Sequence, residues 1–291
     1  MLQGESDVRR SEFTKNREVG VRFRAFALAL VALGMSSSVL GQGRTIEDTL
    51  VVTDPTVARQ GNWKIGGAVE YWATSTQLDL YNSSGTKVGD SNLKLNQSGF
   101  NIFGAYGNFT LQGTRRSGSG DLSETVNGVA YGGPQKQTDE EYTLRWLFPH
   151  ETISPYLLAG YGKTEVKQDL TLNTGGFVWS CTGTTSMTQT TTYKGPLIGG
   201  GAIVPFNEKF GIRGDMRFHF NKGDNVYSGT GCVNKNSSGV GYDLTFTAYW
   251  NIVAGLNAQL GGKATWLNAG TDVPDWFKWG LFAMLGYSFT F

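Results

Sequence analysis

Nine ionisable side chains fall on the polar face of segments that alternate between polar and apolar residues. They are Lys64, Glu70, Arg145, Arg213, Asp215, Arg217, His219, Asp243 and Lys263. Buried charges must be paired, so mixed signs on an enclosed face predict ion pairs and hydrogen bonds that fill the interior. The alternative is a narrow polar conduit lined by the same groups. Lys163, Glu165 and Lys167 are not assigned to either face, because the phase of their segment is ambiguous.

Catalysis would have to rest on His219, because the other histidine, His150, lies in a predicted turn. A serine hydrolase needs a serine and an acid beside the imidazole. Ser228 and Asp243 are conceivable partners, but no spacing in the sequence supports them. The chain also has no Gly-rich phosphate loop followed by Lys and Ser/Thr, and no Cys/His metal spacing. We predict no catalytic residue, no metal site and no cofactor.

The segments that carry these residues have the period of two that is typical of β-strands. The clearest are 210–220, 240–250 and 256–266, each with one nearly apolar face. Less regular segments follow the same rule, at 63–75, 99–107, 109–115, 140–148, 155–167, 192–204 and 279–291. Together they predict ten strands. Eight remain possible, if 99–115 is one long strand and another weak segment drops out.

The connections between these strands alternate between short and long. Short turns are predicted near 107–108, 149–154, 205–208 and 251–255, and long polar loops at 76–98, 116–138, 168–191, 221–238 and 268–277. This alternation, with polar-in and apolar-out strands, predicts an antiparallel up-and-down transmembrane β-barrel. A soluble β-sandwich or barrel with an apolar interior is the alternative. Strands of about ten residues favour the membrane barrel, and so do aromatic residues near strand ends, Trp72 and Tyr156 among them, which would form interfacial girdles.

The last strand supports the same prediction. The chain ends with aromatic residues at Tyr287, Phe289 and Phe291, and 155–162 reads Pro-Tyr-Leu-Leu-Ala-Gly-Tyr-Gly. Both patterns resemble bacterial outer-membrane proteins, the second in particular the small opacity and OmpA-like barrels. The resemblance implies short periplasmic turns, long extracellular loops and a terminal signal read by the barrel-assembly machinery. It also implies outer-membrane lipid and lipopolysaccharide as partners. Omptin proteases have the same size, but His219 lacks their Asp-x-His spacing.

The N-terminal part predicts export. Arg22 and Arg24 precede an apolar run at 25–35, which is typical of a signal peptide and too short for a membrane-spanning helix. We expect cleavage after Gly41, and therefore an N-terminal extension and signal peptide at 1–41, a periplasmic segment at 42–61 and the barrel at 62–291. Residues 47–53 resemble an energy-coupling box, but a receptor with a plug and 22 strands would need a longer chain.

The charge balance and the cysteine content limit the partners and functions that we expect. Lys and Arg total 25 against 24 Asp and Glu, so we predict no nucleic-acid partner. In an oxidising compartment we predict that Cys181 and Cys232, in neighbouring long loops, form a disulfide. The favoured function is a structural or surface-interaction barrel with a plugged lumen and a surface ligand that the sequence does not identify. A small pore for polar solutes and an outer-membrane enzyme using His219 are the alternatives.

Overall fold

The computed structural model describes residues 54–58, 61–81, 87–126, 129–150, 152–172, 186–228, 233–270 and 273–291. The predicted signal peptide and both cysteines lie outside these residues. Ten strands form: β1 (Trp63–Tyr81), β2 (Lys87–Tyr106), β3 (Phe109–Val126), β4 (Val129–Leu147), β5 (Ser154–Leu172), β6 (Ser186–Pro205), β7 (Phe210–Ser228), β8 (Lys235–Val253), β9 (Leu256–Leu267) and β10 (Trp276–Thr290).

The strands make one closed antiparallel barrel in which each strand pairs with its neighbours in sequence. Pairing of β1 with β10 closes the barrel, and the amide of Phe291 donates to the carbonyl of Trp63 at 2.8 Å. The prediction of a ten-stranded up-and-down barrel is confirmed. We call the end of the barrel with the turns after β2, β4, β6 and β8 the short-turn end, and the contact between Phe291 and Trp63 lies there. The opposite end is the long-strand end.

Most strands extend well beyond the predicted boundaries. Eight of them have 18 to 20 residues, whereas about ten residues suffice to cross the hydrocarbon layer. Much of the predicted long loops is therefore strand, except for 268–277, where β9 ends at Leu267 and β10 begins at Trp276. The outer parts of these strands have fewer apolar residues, so the hydrophobic alternation weakens while the backbone ladder continues. On β4, for example, Gln135 and Gln137 face inward and Lys136 faces outward, with no apolar residue among them.

The outer wall is apolar across the middle of the strands. Val69, Leu111 and Leu281 are 65, 62 and 66% exposed, a degree of exposure that suits contact with lipid. Aromatic pairs border this band at the short-turn end, with ring centroids 4.7 Å apart for Trp63–Tyr106 and 5.9 Å for Phe109–Trp146. Tyr287, Phe289 and Phe291, the predicted assembly signal, are exposed there as well.

Two aromatic residues do not lie where the sequence suggested. Trp72 and Tyr156 are 1 and 2% exposed and face the interior, so they are not part of an aromatic girdle. Residues two apart in a strand share a face. The residue two positions before each of these aromatic residues faces inward, so Trp72 and Tyr156 face inward as well. No helix among the described residues is long and apolar enough to span a membrane.

Candidate functional site

The interior of the barrel is where the ionisable groups converge. The structure turns all nine predicted charges inward or to the inner rim, and Glu70, Asp215 and Asp243 are 6, 5 and 1% exposed. Sequence reasoning missed five further interior charges, Asp54, Arg116, Asp139, Glu141 and Lys278. Leaving aside Lys64 at the rim and the histidine, these described residues place six cations and six carboxylates in the interior.

A short N-terminal stretch closes the short-turn end. We call Asp54–Ala58 the N-terminal plug, because all five residues are buried although the sequence assigned them to a periplasmic segment. Val57 packs in an apolar cluster with barrel residues that include Leu147 and Tyr249. The backbone of the plug is also held, because the carbonyl of Val57 accepts a hydrogen bond from Lys64 Nζ at 3.3 Å.

Two arginines on the barrel wall bind the polar side chains of the plug. Arg213 Nη1 lies 3.1 Å from Asp54 Oδ2, and Arg145 Nη1 donates to Thr56 Oγ1 at 2.9 Å. Burial raises the pKa of the Asp54 carboxyl, but the two guanidiniums and the hydrogen bonds from Thr56 outweigh it. The net pKa of Asp54 is therefore below its usual value. A charged Asp54 is the form that the site stabilises.

Above the plug, Arg217 connects two acids. Its Nε lies 2.6 Å from Asp215 Oδ1, and its Nη1 forms an ion pair with Glu141. Tyr156 donates a hydrogen bond to the other oxygen of Asp215 at 3.1 Å. Because Asp215 is buried and the Glu141 side chain is only 13% exposed, these contacts supply the pairing that charges need inside a protein.

The next level contains the histidine. Lys263 Nζ lies 2.8 Å from Asp243 Oδ2, and His219 Nε2 lies 3.1 Å from the same oxygen. Asp243 is thus brought to His219, but Ser228 is not. Ser228 is nine residues further along β7, about 30 Å away at strand spacing, and its hydroxyl donates to the carbonyl of Thr188. The described geometry assembles no serine–histidine pair here.

The missed charges complete this network. Arg116 Nε lies 2.9 Å from Glu70 Oε2, and Lys278 Nζ lies 2.6 Å from Asp139 Oδ2. Glu141 and Asp139 could have been found by stepping two residues at a time from Arg145. Lys278 follows from its neighbour Trp279, which faces outward, because adjacent residues of a strand point to opposite faces. Asp54 carried no such signal, because it lies outside every strand.

Trp72 lies among three of these cations. Its ring centroid is 4.1 Å from Lys278 Nζ, 5.3 Å from Arg116 Cζ and 5.9 Å from Lys263 Nζ. The negative face of an indole attracts cations, most strongly where water is excluded. Trp72 therefore lies between these three cations and also stabilises their charges.

The connection between β9 and β10 closes the interior from the other side. We call residues 268–270 and 273–275 the inner cap, because Ala269 and Val273 are 0 and 3% exposed and pack with Tyr193 and Trp276. The hydroxyl of Tyr193 donates to the carbonyl of Pro274, and Asn221 Nδ2 donates to the carbonyl of Asn268 at 3.2 Å. The short β9 and β10 leave room for this inward fold.

Little space remains between the plug and the cap. Two small cavities of about 50 and 30 Å³ lie in this region, and Arg116, Glu141 and Lys263 line both. A buried water needs roughly 10–15 Å³, so each cavity has room for a few waters. Among the described residues, no group of three or more His, Cys, Asp or Glu side chains could hold a metal ion.

Comparisons with known proteins address the fold. No family model and no curated protein matches the sequence. The structure is similar to the outer membrane protease OmpT from Escherichia coli, with a TM-score of 0.56 and 12% identity over 79% of this chain and 97% of that chain. It also matches the translocator domain of the autotransporter NalP from Neisseria meningitidis, with a TM-score of 0.44 and 10% identity over 93% of this chain and 97% of that chain.

OprG from Pseudomonas aeruginosa gives a TM-score of 0.37 and 13% identity over 80% of this chain and 98% of that chain. At these identities the similarities concern the fold alone, and of these three structures OmpT has a TM-score above 0.5. The assignment to opacity and OmpA-like barrels stays a prediction. The chain is a closed ten-stranded barrel of the kind found in outer-membrane proteins.

Proposed function

We propose that the protein is an outer-membrane barrel with a structural or surface-interaction role and a lumen that does not conduct. The observation that carries this proposal is the filled interior. The N-terminal plug, the paired charges and the inner cap follow one another along the axis, and the two cavities described between them measure about 50 and 30 Å³. The apolar outer band supports placement in a membrane, and the barrel-assembly machinery and outer-membrane lipid are the partners that this placement implies.

A conductance measurement tests this proposal against the pore alternative. We expect the protein, folded and inserted into a planar bilayer of phosphatidylcholine, to leave the bilayer insulating. Ion pairs such as Arg217–Glu141 join strands across the lumen, so we expect that an ion would have to separate such pairs to pass. Reproducible single-channel steps would contradict the proposal and favour the pore for small polar solutes.

The enzyme alternative has its own test. His219 and Asp243 are in contact, but Lys263 occupies the same carboxylate oxygen and both residues are buried. We expect the folded protein to show no peptidase or esterase activity that is lost in His219→Ala. An activity present in the parent and abolished in that variant, with the barrel still folded, would favour the enzyme.

The disulfide between Cys181 and Cys232 also remains a proposal. What supports it is the arrangement of the flanking strands. β6 begins at Ser186 and β7 ends at Ser228, and Thr188 pairs directly with Ser228. The chain segments that contain the two cysteines therefore leave the barrel from adjacent strands at the same end.

A further inference from the structure

Three lysines are in direct register on the outer wall. Lys163 of β5 pairs with Lys194 of β6, which pairs in turn with Lys222 of β7. We call these three residues the lysine row. Neighbouring strands lie about 4.8 Å apart, so the row concentrates three cations on about 10 Å of wall. Like charges directly opposite one another destabilise a sheet, and such a row therefore favours a negatively charged partner.

The lysine row faces outward, away from the network in the interior. The Lys163 and Lys194 side chains are 40 and 41% exposed, and Lys222 is exposed as well. On its short-turn side, each lysine has a neighbour two positions away in the strand whose side chain is exposed on the outer wall. These neighbours are Tyr161, Pro196 and Phe220.

Two carboxylates neutralise part of the charge. Glu165 Oε2 lies 3.0 Å from Lys163 Nζ, and Asp224 Oδ2 lies 3.0 Å from Lys194 Nζ. Both acids lie two residues further toward the long-strand end. Among the described side chains, no ion pair involves Lys222. Glu140 of β4 is the register partner of Lys163 and forms an ion pair with Arg115 at 3.4 Å, so the three lysines and Arg115 face three acids and keep a net charge of +1. The side of the row that faces the apolar band holds aromatic and apolar groups instead of acids.

A lipid headgroup fits this position. Lipid phosphates lie just outside the hydrocarbon layer, where lysine stems can cover apolar surface while their ammonium groups reach the interface. The row lies directly beyond Tyr161, Pro196 and Phe220 on the outer wall, and on β7 one more exposed apolar residue, Val226, lies four positions beyond Lys222. We propose that the lysine row binds the phosphate group of a lipid in the leaflet at the long-strand end. This inference rests on the membrane placement proposed above but not on the closed lumen.

The test uses the folded full-length protein and a short-chain phosphatidic acid as the probe, with the matching phosphatidylcholine as the neutral comparison. Native mass spectrometry from detergent micelles counts the lipids that stay bound. We expect the protein to retain phosphatidic acid in preference to phosphatidylcholine. The triple variant K163Q/K194Q/K222Q should lose at least about tenfold in apparent affinity for phosphatidic acid, since each basic residue near the interface contributes attraction.

A matched control separates the row from overall charge. K94Q/K136Q/K209Q removes three exposed lysines elsewhere and should keep the affinity within about twofold. Equal loss in both triple variants, or none in K163Q/K194Q/K222Q, would overturn the proposal. Displacement of the lipid by millimolar inorganic phosphate would do the same, because it would indicate a site for a free anion. Insertion into phosphatidylcholine vesicles, followed by the shift of the folded band on boiling, is measured separately. A failure there would contradict the membrane placement itself.

Discussion

Asp54 and Arg213 form an ion pair between residues that are 159 positions apart, with Oδ2 and Nη1 at 3.1 Å. The contact joins a segment outside the strands to β7 and lies at the short-turn end. Arg213 also donates to Gln259 Oε1 at 3.5 Å, so the same guanidinium links the plug to β9. The plug is therefore held at this end of the barrel in part by a small number of polar contacts.

Replacing Asp54 should weaken the attachment of the N-terminal plug to the barrel wall. Asp54→Asn removes the negative charge opposite a buried guanidinium, and we expect a loss of about 2 kcal/mol in the free energy of unfolding. Urea unfolding of the folded barrel measures the change. Asp169→Asn is the matched control, because Asp169 accepts a hydrogen bond from Thr188 at an exposed site, and surface changes of this kind stay within about 0.5 kcal/mol. Equal effects of the two variants would contradict the assigned role of Asp54.

The same pair predicts a pH dependence. The pKa of Asp54 is lowered in the folded protein, so its contribution is complete above the usual carboxyl pKa and is lost as the pH falls through the lowered value. The stability difference between the parent and Asp54→Asn should therefore be constant near neutral pH and shrink in acid. Urea midpoints of both proteins over the acid range measure it. A difference that grows on acidification would contradict the sign of the shift.

The buried pair of Lys278 and Asp139 should show strong energetic coupling. Asp139 also accepts hydrogen bonds from Gln97 and Thr164 at 3.0 and 2.9 Å, so the pair is fixed in place. In a double-mutant cycle with Lys278→Met and Asp139→Asn, we expect a coupling energy of about 2 kcal/mol.

The exposed pair Arg115–Glu140, at 3.4 Å, is the control for this cycle. Variants Arg115→Gln and Glu140→Gln should couple by less than about 1 kcal/mol, because solvent screens their interaction. Similar coupling energies in the two cycles would show that burial does not strengthen the interior pair.

Gly195 allows close approach of β6 and β7. A Cβ atom at this position would overlap the carbonyl oxygen of Phe220, which belongs to the backbone and cannot move aside easily. We expect Gly195→Ala to cost about 2 kcal/mol of stability through overpacking. Gly104→Ala is the control, since a Cβ there meets no atom within 4 Å. Thermal or urea unfolding compares the two, and equal stability would contradict the close approach.

The two cysteines provide a test in solution. If Cys181 and Cys232 are bridged, the folded protein should not react with a thiol reagent until a reductant is added. Closing a loop of roughly 50 residues adds about 4 kcal/mol at most in the chain-entropy model. Because the barrel closes through its own strands, we expect the reduced protein to keep its folded band on gels. Stoichiometric labelling of both thiols without reductant would rule out the bridge.

The sequence by itself determined the features that depend on local alternation. Segment 210–220 shows this, because residues two apart share a face in any strand, and Arg213, Asp215 and Arg217 had to point the same way. Counting such segments predicted ten strands. The same reasoning failed where alternation ended, so the outer halves of β3 and β4 were expected to be loops.

Only the tertiary structure decided which charges meet. Lys278 reaches Asp139 from 139 residues away, and Asp54 reaches Arg213 from outside the strands altogether. These pairings depend on which side chains lie opposite across the lumen, which is fixed by closure of β1 on β10 and by the stagger of all ten strands. No local sequence pattern predicts that stagger. Whether the β9–β10 connection can fold inward depends in turn on how far the neighbouring strands extend beyond β9 and β10.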